Sequence, residues 1–255
     1  MSANANHDPE MVTPVASLRA LLIGLLAIVV GTLLAAVVVP RWVPGLSASI
    51  LSDSPKIYWY LSRGSAFVAF ILLWLSMVFG LMITNRVARL WPGGPIAFDL
   101  HQYFSLLGLG FGLFHALILT GDRYIKAGLV QVILPFAYQN YEPIWVGIGQ
   151  LAFYAWVIVV ASFYIRKQLG NKTWRLVHYA SFLVFSLALV HGLVSGTDSS
   201  TVWANIIYWF AGGSLLLLLF YRILVTVGNK KPQRGRPAPQ AVTRELSDFV
   251  KLDPK

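Results

Sequence analysis

The chain has 255 residues, of which 57% are hydrophobic and only 12% are charged; average soluble domains carry about twice that share of charge, so the composition predicts a membrane protein. A formal net charge of +10 would suit a nucleic-acid-binding protein, but the basic residues lie mostly between apolar segments and in the C-terminal tail, where membrane topology explains them without a nucleic-acid partner. The chain has no cysteine, which excludes disulfides, thiolate-ligated zinc, iron–sulfur clusters and covalently attached c-type haem.

The chain opens with a polar leader over residues 1–17, which six apolar segments follow. Crossing the hydrocarbon of a bilayer takes about 20 apolar residues in a helix, and each segment is long enough. The first is too long for a signal peptide, and no Lys or Arg precedes Arg19. We therefore predict an all-α membrane protein, a bundle of six transmembrane helices. The predicted spans are Leu18–Val39, Tyr58–Ile83, Leu100–Leu119, Ile144–Ile165, Leu176–Ser195 and Val202–Val227.

The basic residues between the spans predict the direction in which the chain crosses the membrane. Cytoplasmic loops are enriched in Lys and Arg, and most of these residues fall on one side of the predicted bundle. Both termini are therefore expected in the cytoplasm. The residues on that side are Arg86, Arg89, Arg166, Lys167, Lys172, Arg175, Lys230, Lys231, Arg234 and Arg236. The opposite side holds Arg41, Lys56, Arg63, Arg123 and Lys126.

The transmembrane domain is predicted to cover residues 18–227, and residues 228–255 form a basic, proline-containing cytoplasmic tail. A soluble nucleotide-binding domain needs far more chain than this tail provides. We therefore expect no such domain within it.

Four histidines lie in two spans that run in the same direction. His101 and His115 are in the third span, and His178 and His191 are in the fifth, whereas His7 lies in the leader and is expected to be inert. Ionisable groups within spans are costly and usually face the bundle interior with a partner. At 1.5 Å per residue, the two histidines of one helix lie at levels about 20 Å apart. The predicted pairs are His101 with His178 near the cytoplasmic edge and His115 with His191 near the outer edge.

Each level thus offers one imidazole from each helix, which is the ligand set that a six-coordinate haem iron requires. We predict two non-covalently bound haem b groups with the four histidines as iron ligands, and no catalytic residue. Ser105, Gly108 and Gly112 follow His101 at helical spacing and leave one face of the third span small. That face would leave room for a flat macrocycle, although Gly108-xxx-Gly112 is also a helix-packing motif.

The histidine pattern resembles that of the ferric-reductase-like transmembrane domain family. The resemblance lies in the spacings His101-x13-His115 and His178-x12-His191 on the third and fifth of six spans, and in the stretch NKTWRLVHYASF before and around His178. The likeness covers about residues 58–227. The family includes ferric reductases, the membrane half of NADPH oxidases, and the haem subunit of bacterial periplasmic methionine sulfoxide reductase systems. This sequence lacks the fused flavin and nicotinamide domains of the oxidases, so it is more similar to the stand-alone bacterial members.

The resemblance implies the membrane electron-transfer component of an oxidoreductase in the bacterial cytoplasmic (inner) membrane, embedded in its lipid. Electrons would pass from a separate cytoplasmic flavin-containing reductase, which carries FMN or FAD, through the inner and outer haems. The acceptor outside would be a ferric complex or a periplasmic redox protein. Two histidines per iron leave no open position for substrate chemistry, which agrees with a role in electron transfer.

Two other functions compete with this interpretation. A quinone-linked cytochrome b also uses histidine pairs across two helices of a bundle. A non-enzymatic proton channel or transporter would use the histidines as a relay, but the spans are not interrupted in matching halves, as transporter repeats often are, and they hold no further intramembrane carboxylate.

The spacing on the fifth span predicts an irregularity. Thirteen residues leave an offset of about 140° on an ideal helix, so His178 and His191 do not point the same way from a straight helix. We expect a local distortion between Ser181 and Leu189, or differently oriented haem planes.

Charged residues near the two levels suggest partners for the haem propionates. Arg63 would begin the second span near the outer haem, where it either forms bidentate hydrogen bonds to a propionate or extends to the interface. Arg175, three residues before His178, is the inner counterpart, unless it serves topology alone.

An aspartate follows each outer histidine at the same distance. Asp122 lies seven residues after His115, and Asp198 lies seven residues after His191. We expect either two polar loop residues that end the spans, or an acidic mouth over the outer haem that attracts a cationic acceptor or binds a hard cation through oxygen.

Overall fold

A computed structural model describes residues 14–38, 42, 57–122 and 125–228. Within these residues the chain contains no strand, and six of its helices are long and apolar enough to cross a membrane. The prediction of an all-α protein with six apolar spans is therefore confirmed. Residues 1–13 of the predicted leader and 229–255 of the predicted tail lie outside the described residues. So do Arg41, Lys56 and Arg123, which the predicted topology used.

The helix bounds agree with the predicted spans to within a residue or two except at two helix starts. The long helices are α1 (Leu18–Leu33), extended by the π-helical turn Leu34–Val38, then α2 (Ile57–Thr84), α3 (Gly94–Ile118), extended by the 3-10 turn Leu119–Gly121, α5 (Pro143–Tyr164), α6 (Arg166–Ser195) and α7 (Val202–Gly228). A short helix, α4 (Leu129–Ile133), lies between α3 and α5. Helix α3 begins at Gly94, six residues before the predicted span, and α6 begins at Arg166, ten residues before it. The added part of α6 is rich in polar and basic residues, which a search for apolar segments does not include.

Local sequence signals explain where several helices begin. The Ser17 side chain caps α1 by accepting a hydrogen bond from the Ala20 backbone N–H at 3.2 Å. Pro95 and Pro143 lie in the first turns of α3 and α5, where no intrahelical N–H is required. Helix α6 is interrupted at Gly170, whose φ of 74° suits glycine. The part of α6 that carries the histidines therefore follows Gly170.

The main core lies where α2, α3, α5, α6 and α7 meet. Its buried residues are Phe70, Leu73, Met77, Leu81, Leu109, Trp156, Val159, Val160, Val184, Phe185, Ala204, Tyr208, Ala211 and Leu215. Large apolar side chains also cover the outside of the bundle, with Ile23 68%, Leu217 72% and Trp209 75% exposed. Apolar surface this extensive is typical of helices that face lipid.

The two helices that carry the histidines, α3 and α6, each pack mainly against a different neighbouring helix. The most extensive helix pairs are α2 with α3 and α5 with α6, while α1 packs on α3 and α7 packs on α2. Helices α3 and α6 therefore each lie against a partner of their own. Their histidine side chains meet across the interior of the bundle, as described below.

Candidate functional site

The four span histidines form two pairs, each with one imidazole from α3 and one from α6. The ring centroids of His101 and His178 are 5.9 Å apart, and those of His115 and His191 are 6.4 Å apart. The structure thus brings together the residues that the sequence pairs by level. We call His101 and His178 the inner pair and His115 and His191 the outer pair, after the predicted orientation.

The distance between the two ring centroids of each pair is within the range of an edge-to-face contact, and it also matches two imidazoles on opposite sides of one metal ion. Histidine–metal bonds are about 2.0 Å long, and with about 1.1 Å from the nitrogen to the ring centroid on each side they give a centroid distance of about 6.2 Å. The measured distances lie on either side of this value. Each pair could therefore hold a single ion between its rings after small side-chain adjustments.

Backbone carbonyls fix the orientation of three of the four rings. The Nδ1 atoms of His101, His115 and His191 each lie 2.8 Å from a carbonyl oxygen. The oxygens belong to Ser76, Ser62 and Trp145, in that order. A carbonyl oxygen only accepts, so Nδ1 carries the proton and Nε2 keeps its lone pair. Histidines that bind a metal through Nε2 usually donate a hydrogen bond from Nδ1 in this way.

Two serines on α2, which the sequence analysis missed, repeat the spacing of the α3 histidines. Ser62 and Ser76 are fourteen residues apart, as are His101 and His115, and α2 runs antiparallel to α3. The Ser62 hydroxyl donates to the His115 carbonyl at 3.0 Å, and the Ser76 hydroxyl makes the same bond to His101 at 3.1 Å. Both serines are buried. A matching Ser-x13-Ser in span two was the signal that could have identified them.

His178 is held in a different way from the other three rings. It makes no hydrogen bond through its ring within the described residues, and it stacks on Trp174, with ring centroids 5.3 Å apart and an angle of 28° between the planes. Trp174 lies one helical turn before His178 on α6. The inner pair therefore has one ring fixed by a carbonyl and one fixed by an aromatic neighbour.

Of the two alternatives expected for the fifth span, the local distortion between Ser181 and Leu189 is wrong, and differently oriented haem planes stay a prediction. The single non-helical residue within α6 is Gly170, well before the inner histidine. The helix is regular from His178 to His191, so the two side chains leave it in directions that differ by about 140°, and both still reach their partners on α3. The angles between paired rings are similar, 73° for the inner pair and 67° for the outer pair.

The small face of α3 packs against aromatic residues of α5. A Cβ on Gly108 would lie 2.8 Å from Trp156, and one on Gly112 would lie 3.5 Å from Phe153. The Trp156 indole N–H also donates to the Ser105 hydroxyl at 3.3 Å. Aromatic residues of α5 therefore fill this face between the two levels. Of the two interpretations of the stripe, these contacts support helix packing.

Arg63 pairs with a carboxylate of the chain itself. Its Nε donates to Asp198 Oδ2 at 2.6 Å, and its Nη2 bonds to Oδ1 of the same side chain. The guanidinium also lies over the Trp59 ring, 4.1 Å from the centroid. Arg63 thus makes a bidentate contact to a carboxylate of the chain, which the sequence analysis did not predict.

The prediction of an exposed acidic surface over the outer haem is wrong, because Asp122 and Asp198 are both buried and form hydrogen bonds within the described part of the chain. Asp122 is 4% exposed, and its Oδ1 accepts from the Ile125 backbone N–H at 2.8 Å. Asp198 is 9% exposed, paired with Arg63, and its carbonyl accepts from the Thr201 backbone N–H at 2.8 Å. The alternative, polar residues that end α3 and α6, agrees with the structure.

The ion pair of Arg63 and Asp198 joins the start of α2 to the turn after α6, so we expect its loss to destabilise the bundle. Asp198→Asn removes the charge from the acceptor and should reduce stability by about 1–3 kcal/mol, the range for hydrogen bonds to charged groups. Thermal unfolding in detergent measures this effect. Asp99→Asn, at an exposed carboxylate, is the matched control, and equal melting temperatures for the two variants would contradict the role of the pair.

The predicted inner counterpart, Arg175, lies at an open cleft. The cleft has a volume of about 340 Å³ and is lined by Asn171, Lys172, Arg175, Leu176 and Tyr179. Nη2 of Arg175 donates to the Tyr179 hydroxyl at 3.4 Å. The structure therefore places Arg175 at the surface, one turn of α6 from the inner pair.

Among the described residues, no group of three or more His, Cys, Asp or Glu side chains converges as it would around an ion held by protein ligands alone. Two imidazoles per site fit a haem, because a porphyrin supplies the four equatorial nitrogens itself. Comparison of the chain with protein-family models, curated proteins and solved structures finds no match. The chemistry of the site is therefore inferred from its geometry.

Proposed function

We propose that this chain conducts electrons across a membrane through two haem b groups. The inner pair, His101 and His178, would hold one haem, and the outer pair, His115 and His191, would hold the other. The observation that carries this proposal is the combination of paired rings 5.9 and 6.4 Å apart with Nδ1 atoms turned to carbonyl oxygens. Bis-histidine ligation leaves the iron without an open position, which suits electron transfer.

The direction of transfer follows from the resemblance to ferric-reductase-like membrane proteins. A cytoplasmic flavin-containing reductase, with FMN or FAD, would supply electrons to the inner haem. The outer haem would pass them to a ferric complex or to a periplasmic redox protein. The chain would thus be the membrane component of an oxidoreductase in the inner membrane of a bacterium, with both termini in the cytoplasm.

The hydrogen bonds of the rings speak against a proton relay. A relay needs both ring nitrogens to exchange protons with titratable groups or water. In His101, His115 and His191, Nδ1 lies 2.8 Å from a backbone carbonyl oxygen, which takes no part in proton transfer at ordinary pH. The Ser62 and Ser76 hydroxyls also lie 2.9 and 3.1 Å from Nδ1 of His115 and His101, but each already donates its proton to a backbone carbonyl. A fixed orientation of three of the four rings supports a ligand role over the channel or transporter function.

Purified protein tests the proposal through its visible spectrum. We expect a b-type reduced-minus-oxidised spectrum and two haems per chain by pyridine haemochrome analysis. Reduction by a flavin donor but not by a quinol would support the ferric-reductase-like role, and the reverse result would favour a quinone-linked cytochrome b. Protein that folds and binds no haem when expressed with ample haem supply would overturn the proposal.

A further inference from the structure

Trp174 lies beside the inner pair and has a buried N–H group for which the described residues supply no acceptor. Its ring stacks on His178, and its indole Nε1 is buried without a hydrogen-bond partner in the described part of the chain. Other indoles of the bundle interior are paired: Trp74 donates to the Ser214 hydroxyl at 2.9 Å, and Trp156 donates to the Ser105 hydroxyl at 3.3 Å. A buried N–H without an acceptor is unfavourable, and native proteins rarely leave one.

The neighbouring Arg175 does not supply the missing acceptor for the Trp174 N–H, because a guanidinium only donates hydrogen bonds. Arg175 is exposed and donates to the Tyr179 hydroxyl, so it lies towards the cleft. Trp174, in contrast, is partly buried and stacks its ring on His178. It also lies one turn closer than His178 to the predicted cytoplasmic edge, on the side where a haem bound at the inner pair would direct its charged groups towards water.

Haem b carries two acceptor groups of matching chemistry, its propionate carboxylates. A carboxylate that leaves water needs hydrogen-bond donors, and bonds to ionised acceptors are stronger than neutral ones. We propose that the Trp174 indole N–H donates to a propionate of the inner haem, while its ring orients His178 in place of a backbone carbonyl. Trp174 is thus a positioning residue, and this inference rests on the proposed binding of haem by the inner pair.

The test replaces Trp174 with phenylalanine, which keeps an aromatic ring against His178 and removes the N–H. Trp74→Phe is the matched control, because it removes an indole N–H that already has a protein partner. In W174F we expect both haems to remain bound and the inner haem to become harder to reduce, since a positive dipole beside it is lost. A threefold change in the reduction equilibrium corresponds to about 30 mV for one electron.

Redox titration and resonance Raman spectroscopy of the propionate modes supply the readouts. The inner haem of W174F should shift in both, and W74F should leave both haems as in the wild type. An inner haem with the same potential and propionate modes in W174F and W74F would overturn the inference while leaving haem binding intact. If the wild type itself binds no haem, the proposed function fails instead.

A measurement on the wild type covers the case in which W174F does not fold. Indole N–H signals of protein labelled with ¹⁵N-tryptophan are compared with and without haem. We expect one indole signal to move into the hydrogen-bonded range when haem is added. If no indole signal changes in this way, Trp174 has no propionate partner and the inference is wrong.

Discussion

The His115→Ala variant should lose the outer haem and retain the inner one. The two levels are separated by about 20 Å along α3, and each has its own pair of rings and its own carbonyl acceptors. Removing His115 leaves His191 as the sole protein ligand at the outer level, whereas His101 and His178 keep their contacts. Haem content should therefore fall from two to one per chain.

His101→Ala is the reciprocal variant and should lose the inner haem alone. His7→Ala changes a histidine of the polar leader and serves as the matched control with full haem content. Pyridine haemochrome analysis gives the number of haems, and the redox titration shows which potential remains. Loss of both haems from folded His115→Ala protein would contradict the assignment of two independent levels.

The spans and the histidine pairs were predictable because strong and simple forces determine them. A helix that crosses a bilayer must be apolar over about 20 residues, and any polar group it buries requires a partner. Histidine is rare in such segments, so two histidines on each of two helices stand out. The structure confirms the six apolar helices and brings the histidines together in the predicted combination.

The surroundings of the histidines were not predictable in the same way. Ser62 and Ser76 lie within an apolar helix, where serine often bonds to its own backbone, and nothing in their local sequence shows which helix they face. The small face of α3 fits either a macrocycle or an aromatic side chain. The choice depends on Trp156 of α5, which only the three-dimensional packing brings to Gly108.

The pairing of Arg63 with Asp198 was not predicted for a related reason. Arg63 and Asp198 are separated by 135 positions in the chain, and separate interpretations gave each a role towards an external group. In the folded bundle the start of α2 and the turn after α6 lie together, so each residue neutralises the other. The same folding buries Asp122 and leaves no exposed acidic mouth.

Glycine at position 149 is required by the close approach of His191 to α5. A Cβ on Gly149 would lie 2.6 Å from Nδ1 of His191 and 2.7 Å from its Cγ and Cε1. Contacts of this length do not occur between a Cβ and other heavy atoms, so one group must move. The ring has little freedom to do so, because its Nδ1 donates to the Trp145 carbonyl, one turn before Gly149, at 2.8 Å.

Gly149→Ala should therefore displace His191 from His115 and reduce the outer haem content to less than half, with the inner haem retained. Gly213→Ala is the matched control: it lies in helix α7 with nothing within 4 Å of its added Cβ. Alanine favours a helix over glycine by about 0.5–1 kcal/mol, so the control should be as stable as the wild type or more so, with both haems bound. Haem content and the outer potential are measured for both variants. An unchanged outer haem in Gly149→Ala would contradict the close packing of His191 against Gly149.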